Sequence, residues 1–160
     1  MMKISILVTK IFLLCLLFML TLSTAFAVDI KVQVTSEKPK QAQLHIELYK
    51  LASDLDFKES WQHTVAIASH DFEMNGNQNT QFFILKNVEL GEMCARSFVD
   101  VNGNNKLDKS PTGLPKEPVG FANNPILIFG EPLPSGACFE VTPITTEIHI
   151  KLQQKKRNKS

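Results

Sequence analysis

Past its first 27 residues the chain has almost no helical periodicity, and nowhere does it carry a G-x-S-x-G, an H-E-x-x-H or a clustered Cys/His pattern. The first absence argues against helical bundles and α/β domains. The second removes the serine-hydrolase and zinc-protease templates, and four scattered histidines supply no nucleophile and base to build on, so a hydrolase is disfavoured. An excess of one charge is missing too, with 17 Lys and Arg against 16 Asp and Glu. Such a balance points to neither nucleic acid nor an anionic surface. Cysteine is scarce, at three residues.

What is present starts with Lys3 and Lys10, an apolar run from Ile11 to Leu20, and a small-residue end at Ala25-Phe26-Ala27. Charged, apolar and A-x-A regions in that order predict a secretory signal peptide over residues 1–27. The apolar run is shorter than the roughly 20 residues of a spanning helix, so no stable membrane span is expected after cleavage. Leu14 stands before Cys15 where a lipoprotein signal wants a small residue. The expected location is the periplasm or the exterior. Loss of Lys3 and Lys10 turns the formal charge from +1 to −1. Cys15 leaves with the signal, and Cys94 and Cys138 remain as an even pair in an oxidising compartment, which predicts a disulfide.

Residues 28–152 read as one β domain. Ile30, Val32 and Val34 alternate with polar residues, as do Leu44, Ile46 and Leu48, which leaves His45, Glu47 and Tyr49 on an expected solvent face. Ala52 to Trp61, with Asp54, Asp56 and Glu59, fits either a short helix or an irregular connection. His63 to Ala68 is a candidate strand, His70-Asp71 a surface turn pair, and Asn75-Gly76-Asn77 a turn. Thr80 to Asn87 and Met93 to Val99 are strands. Pro125 to Phe129, Cys138 to Thr142 and Ile144 to Leu152 are three more apolar runs, the last placing His149 on its polar face. This pattern predicts an all-β fold, an antiparallel β-sandwich of seven or eight strands with a long loop between two late strands. Residues 153–160, with four basic side chains and no apolar one, read as a solvated, disordered tail.

Short oxygen-bearing side chains crowd the stretch from Asp100 to Asn124. Asp100, Asn102 and Asn104 occupy positions 1, 3 and 5 of the spacing D-x-[DN]-x-[DN] that turns oxygens towards a hard cation such as Ca2+. The carbonyl of Lys106 falls at position 7 and Asp108 at position 9. Asn105 replaces the glycine of position 6, and Pro111 the bidentate glutamate of position 12. Five ligands fall short of the six to eight oxygens Ca2+ takes, with Thr112 and Glu117 as candidates to complete the set. The alternative is a loop whose Asx side chains satisfy their own backbone. In the second half of the stretch, from Gly113 to Asn124, glycines and prolines surround one aromatic as in rigid loops. Phe121, Asn123 and Asn124 are candidate ligand-binding residues there.

The runs D-V-N-G-N-N-K-L-D and G-L-P-K-E-P-V-G-F-A-N-N resemble a bacterial family, domain of unknown function 2141. Its members carry D-x-N-x-N-G-x-x-D and then G-[IL]-P-x-E-x-x-G-[FY]-[AS]-N-N. Val99 stands where the family often has His, and Asn105 where it has Gly. The resemblance implies an exported small β-domain, similar to transthyretin-like (prealbumin-like) and carboxypeptidase regulatory-like sandwiches, and implies no reaction. The expected function is therefore a non-enzymatic exported module with a Ca2+-binding loop. The alternative is a periplasmic protein that binds a peptide or glycan through the Gly113–Asn124 face. The partner, protein or glycan, and the oligomeric state are left open by the sequence.

Overall fold

Alternating β-branched and polar residues make Ala27–Ser36 a strand, β1, whose Ile30, Val32 and Val34 turn inwards and are fully buried. The structure, a computed structural model, describes residues 26–50, 61, 64–127, 130–145 and 147–154. The expected signal peptide up to residue 25, the connection holding Asp54, Asp56 and Glu59, and the tail from residue 155 lie outside the described residues. After β1 come β2 (Ala42–Tyr49), β3 (Ala68–Met74), β4 (Thr80–Glu89), β5 (Gly91–Asp100), β6 (Val119–Phe121), a 3-10 turn at Pro134–Ala137, β7 (Cys138–Val141) and β8 (Glu147–Leu152). No α-helix occurs among the described residues.

The strands form two sheets, ordered β4-β1-β8 and β3-β2-β5-β6, and the fold is the all-β sandwich that the alternation predicts. β5 pairs with β2 along one edge. Its other edge is shared, with β7 opposite Gly91–Cys94 and β6 opposite Arg96–Phe98. All pairs are antiparallel except β1 with β8, where Lys31 to Ser36 run parallel to Glu147 to Leu152.

Between the sheets, Leu44, Ile46 and Leu48 of β2 meet Ile30, Val32 and Val34 of β1, with Met93, Ala95 and Val99 of β5 and Ile150 of β8. The opposite face of the larger sheet is covered as well. Tyr49, Cys94, Phe98, Val119 and Phe121 gather there with Trp61 and Ala137, and Leu107 and Leu127 pack on the rim. This second layer corrects the reading of β2. His45 and Tyr49, expected to face solvent, are 6% and 4% exposed because the long connections fold over them. His70 and Asp71 lie inside β3, not in a turn, and His149 does sit on the exposed face of β8.

Two further differences concern the loop region. Val119–Phe121, which lies within the stretch whose glycines and prolines around one aromatic read as a rigid loop, is a buried strand. The run expected to start a strand at Pro125 has no strand structure through Leu127. Gly120 brings β6 against β8. A Cβ at this position would stand 2.5 Å from Ile150 Cγ2 and 2.9 Å from Ser97 Oγ, and that Oγ donates to the Gly120 carbonyl at 3.0 Å.

Cys94 and Cys138 stand opposite one another on β5 and β7 and are joined in a disulfide spanning 44 residues. Closing a loop of that length in the unfolded chain stabilises the fold by up to about 4 kcal/mol. Reduction is therefore expected to lower the melting temperature, and Cys94→Ala with Cys138→Ala to lower it equally and remove the response to reductant. Equal melts with and without reductant in the unaltered protein would contradict the estimate.

Candidate functional site

β5 ends on Asp100, a carboxylate that its strand position drives below the surface. The side chain is fully buried, so its oxygens need donors. The loop supplies them by wrapping round it. Oδ1 accepts the backbone N–H groups of Gly103 at 2.7 Å and Asn104 at 3.2 Å, and Oδ2 accepts that of Asn105 at 2.6 Å. The wrap needs left-handed backbone at Gly103 (φ 77°) and Asn105 (φ 57°), conformations that Gly and Asn adopt at least cost. Burial pushes the Asp100 pKa up, but the N–H groups of Asn105, Gly103 and Asn104 outweigh it and hold the carboxyl below its ordinary range.

The side chains at loop positions 3, 5 and 9 converge. Asn102 Nδ2 donates to Asp108 Oδ2 at 2.7 Å, and Asn104 Nδ2 lies 3.3 Å from Asp108 Oδ1. The two amide oxygens meanwhile accept backbone N–H groups two residues on, Asn102 Oδ1 from Asn104 at 3.1 Å and Asn104 Oδ1 from Lys106 at 2.9 Å. The loop thus satisfies itself through Asx turns while keeping three polar side chains around one point. Lys106 itself is exposed.

Glu117 is 5% exposed and braces the loop from its returning arm. Its Oε1 accepts Val101 N–H at 2.8 Å and its Oε2 accepts Asp108 N–H at 3.1 Å, so one carboxylate ties the beginning of the loop to its end. Thr112 is turned to Ser110, with the two hydroxyl oxygens 2.9 Å apart. Both side chains proposed to complete a cation shell are engaged in holding the loop. Among the described residues no group of three or more His, Cys, Asp or Glu is placed to hold a metal ion, so a cation here would need amide and carbonyl oxygens beside Asp100 and Asp108.

His45 belongs to this site, although its place on an alternating strand gave no sign of it. It stacks on Phe98 with ring centroids 4.6 Å apart. Asp71, directly opposite on β3, brings its Oδ1 to 2.7 Å from His45 Nδ1. The other nitrogen, Nε2, is buried without a hydrogen-bond partner and lies 3.9 Å from Asp100 Oδ2. One imidazole therefore bridges the edge strand and the base of the loop.

Phe121 is fully buried against Trp61, their rings 5.7 Å apart, and offers nothing to a ligand. Asn123 and Asn124 are exposed, but both adopt positive φ (61° and 49°) and use their amides on the backbone. Asn123 Nδ2 donates to the Cys138 carbonyl. Asn124 Nδ2 donates to the His149 carbonyl at 3.0 Å while its Oδ1 accepts Lys151 N–H, which clasps the loop to the edge of β8.

A second polar cluster lies on the same covered face. Tyr49 Oη donates to Glu47 Oε2 at 2.6 Å, and Arg96 reaches Glu47 at 3.3 Å and Glu131 at 2.7 Å. Glu131 also pairs with Lys109, immediately after the loop. Burial works against the Arg96 charge, but Glu131, Tyr49 and Glu47 outweigh it and raise its pKa. Burial, reinforced by Glu47 and opposed by Arg96, pushes the Tyr49 hydroxyl up to about 12.

Against known proteins, a family model described as an uncharacterized protein conserved in bacteria matches residues 32–149, well over half of the chain. No curated protein and no solved structure matches.

Two pH effects follow from these groups. Asp100 has a depressed pKa when folded, so its stabilisation is present above the ordinary Asp value of about 3.9 and is lost as pH falls through the folded value. Acid titration of Asp100→Asn, followed by circular dichroism, should show a shallower loss of stability than that of the unaltered chain. An identical acid limb would refute the assignment. Tyr49 is raised when folded, so its stabilisation holds below pH of about 10 and is lost as pH rises towards 12, on the order of 2 kcal/mol. As Tyr49 is the chain's single tyrosine, tyrosinate absorbance reads it directly. Its midpoint should lie well above that in denaturant, and coincident midpoints would refute the shift.

Proposed function

Since the chain belongs to domain of unknown function 2141, an uncharacterized bacterial family, we propose a role from the site itself: an exported, non-enzymatic β-sandwich module whose Asp100–Asp108 loop binds Ca2+ weakly and stiffens when it does. The observation that carries this reading is the convergence of Asn102 and Asn104 on the Asp108 carboxylate. It is joined by left-handed backbone at Asn105, the position where the cation loop needs its sharp turn.

The donor set fits a hard cation in part. Asp100 and Asp108 supply charge, and the Lys106 carbonyl and water would add neutral oxygens. A half-turn of each amide would aim Asn102 Oδ1 and Asn104 Oδ1 inwards. That rotation gives up the hydrogen bonds from Asn104 N–H and Lys106 N–H and also those the two amides donate to Asp108, about 1 kcal/mol or more each. Four hydrogen bonds lost, two of them to a carboxylate, and only two carboxylates present argue for affinity on the order of 10⁻⁴ to 10⁻³ M, the range of extracellular modules. The role itself is that of a structural or interaction module: cation binding would fix the loop that sits between β5 and β6 and thereby one end of the sandwich. The non-enzymatic part of the reading is supported by the burial of His45, whose unpartnered Nε2 is out of reach of a substrate.

A thermal melt with Ca2+ titrated against chelator, disulfide intact, tests the proposal. The melting temperature should rise and saturate near millimolar Ca2+. Asp108→Ala should abolish the rise with little loss of stability in chelator, because its carboxylate is only half-buried and the Asn102 and Asn104 amides that it holds are exposed. Melts that ignore Ca2+ in both proteins would sink the metal reading.

A further inference from the structure

We infer that the groove beside the end of β8 is a docking site for an extended, acidic peptide segment of a partner protein. The groove encloses about 580 Å³, between Glu37 and Lys38 after β1, Asn124 and Ile126 after β6, and Lys151 to Gln154. This volume lies within the range of specific binding clefts. It does not depend on the cation loop.

Its walls are held in place. Asn124 clasps His149 and Lys151 of β8, Gln153 Nε2 donates to the Pro125 carbonyl at 2.9 Å, and Gln154 Nε2 donates to the Lys116 carbonyl at 2.9 Å. Side chains tied in this way lose little freedom when a ligand arrives, which favours binding. Inside these walls Ile126 is 80% exposed, an apolar side chain standing in a polar cleft with nothing over it among the described residues.

Charge selects the occupant. Residues 28–150 carry ten Lys or Arg against sixteen Asp or Glu, whereas residues 151–160 carry five basic side chains and no acid. The basic residues of the chain end therefore begin in the groove wall, at Lys151, and continue directly after Gln154. Lys38 adds to them across the groove. Among the described residues the one acid in the lining is Glu37, which is 75% exposed in its side chain and holds Lys151 at 3.2 Å. An incoming carboxylate can take its place on Lys151. Lys38 and Lys151 in the lining attract an anionic chain, and Ile126 receives one of its apolar side chains. The concave shape favours a narrow chain over a lipid surface, which an exposed basic and apolar plane would suit better.

The test is fluorescence anisotropy with a labelled peptide of alternating Glu and Leu, and a labelled oligolysine as control. The protein should bind the acidic peptide, more weakly as salt rises, and not the oligolysine. Lys38→Glu with Lys151→Glu, the tail left intact, should weaken binding by about tenfold or more, a change of about 1.4 kcal/mol. Ile126→Asp should weaken it severalfold, with unchanged circular dichroism in both variants. Removal of residues 155–160 should leave binding that Lys38→Glu with Lys151→Glu still weakens. The proposal is overturned if the acidic peptide does not bind, or if the double variant binds as well as the unaltered chain, which would give the effect to the tail alone. It is equally overturned if the labelled oligolysine binds as tightly as the acidic peptide, or if phosphatidylserine vesicles displace the acidic peptide from the protein lacking residues 155–160.

Discussion

A strand covered on both faces has to bury every side chain it carries, including those that resist burial. β5 is such a strand from Met93 to Asp100, where only Arg96 stays half-buried. Its odd-numbered residues from Met93 to Val99 enter the layer between the sheets, while Cys94 and Phe98 enter the layer under the loops. The polar members each need a partner in place of water. Ser97 finds the Gly120 carbonyl, Arg96 finds Glu47 and Glu131, and Asp100 finds the backbone of the turn that follows it. The shape of the Asp100–Asp108 loop is thus first the answer to a buried carboxylate. Whatever the loop binds, it binds with a scaffold already dictated by that need.

Alternation reveals a strand when one face is wet, and the smaller sheet was legible for that reason. β1 and β8 show the pattern plainly, and the turn at Asn75-Gly76-Asn77 falls where its residues place it. The larger sheet was legible in its strands but not in its exposure. His45 and Tyr49 sit at polar positions of β2, and nothing local tells that connections distant in sequence will cover them. The near-continuous apolar run from Met93 to Val99 was the one available hint, since two-sided burial removes alternation. β6, three residues long, offers no periodicity to read. The disulfide was legible from the pairing of two cysteines, whereas the parallel partnership of β1 and β8 depends on long-range closure that no local signal carries.

The segment G-F-A-N-N shows how architecture and binding can share a sequence signature. Gly120 is required because β8 leaves no room for a Cβ, Phe121 fills the outer layer, and Asn123 and Asn124 accept left-handed backbone while fastening the chain to Cys138 and β8. Each of these residue types also populates ligand sites, which is why the pattern reads as a binding loop. Here conformation and packing account for each of these four, and Ala122 is buried in the core between the sheets. The candidate site, by contrast, lay partly in residues the spacing did not touch, with Glu117 as brace and His45 beneath Asp100.

The parallel alignment of β1 and β8 bears on how the molecule responds to load. Tension drawn between the chain before β1 and the chain after β8 acts along both strands in opposite senses. It shears the ladder from Lys31–Glu147 to Ser36–Leu152 as a whole instead of unzipping it one bond at a time. A domain strung between two anchored points by these strands would hold its form under pull until the entire ladder gave way together.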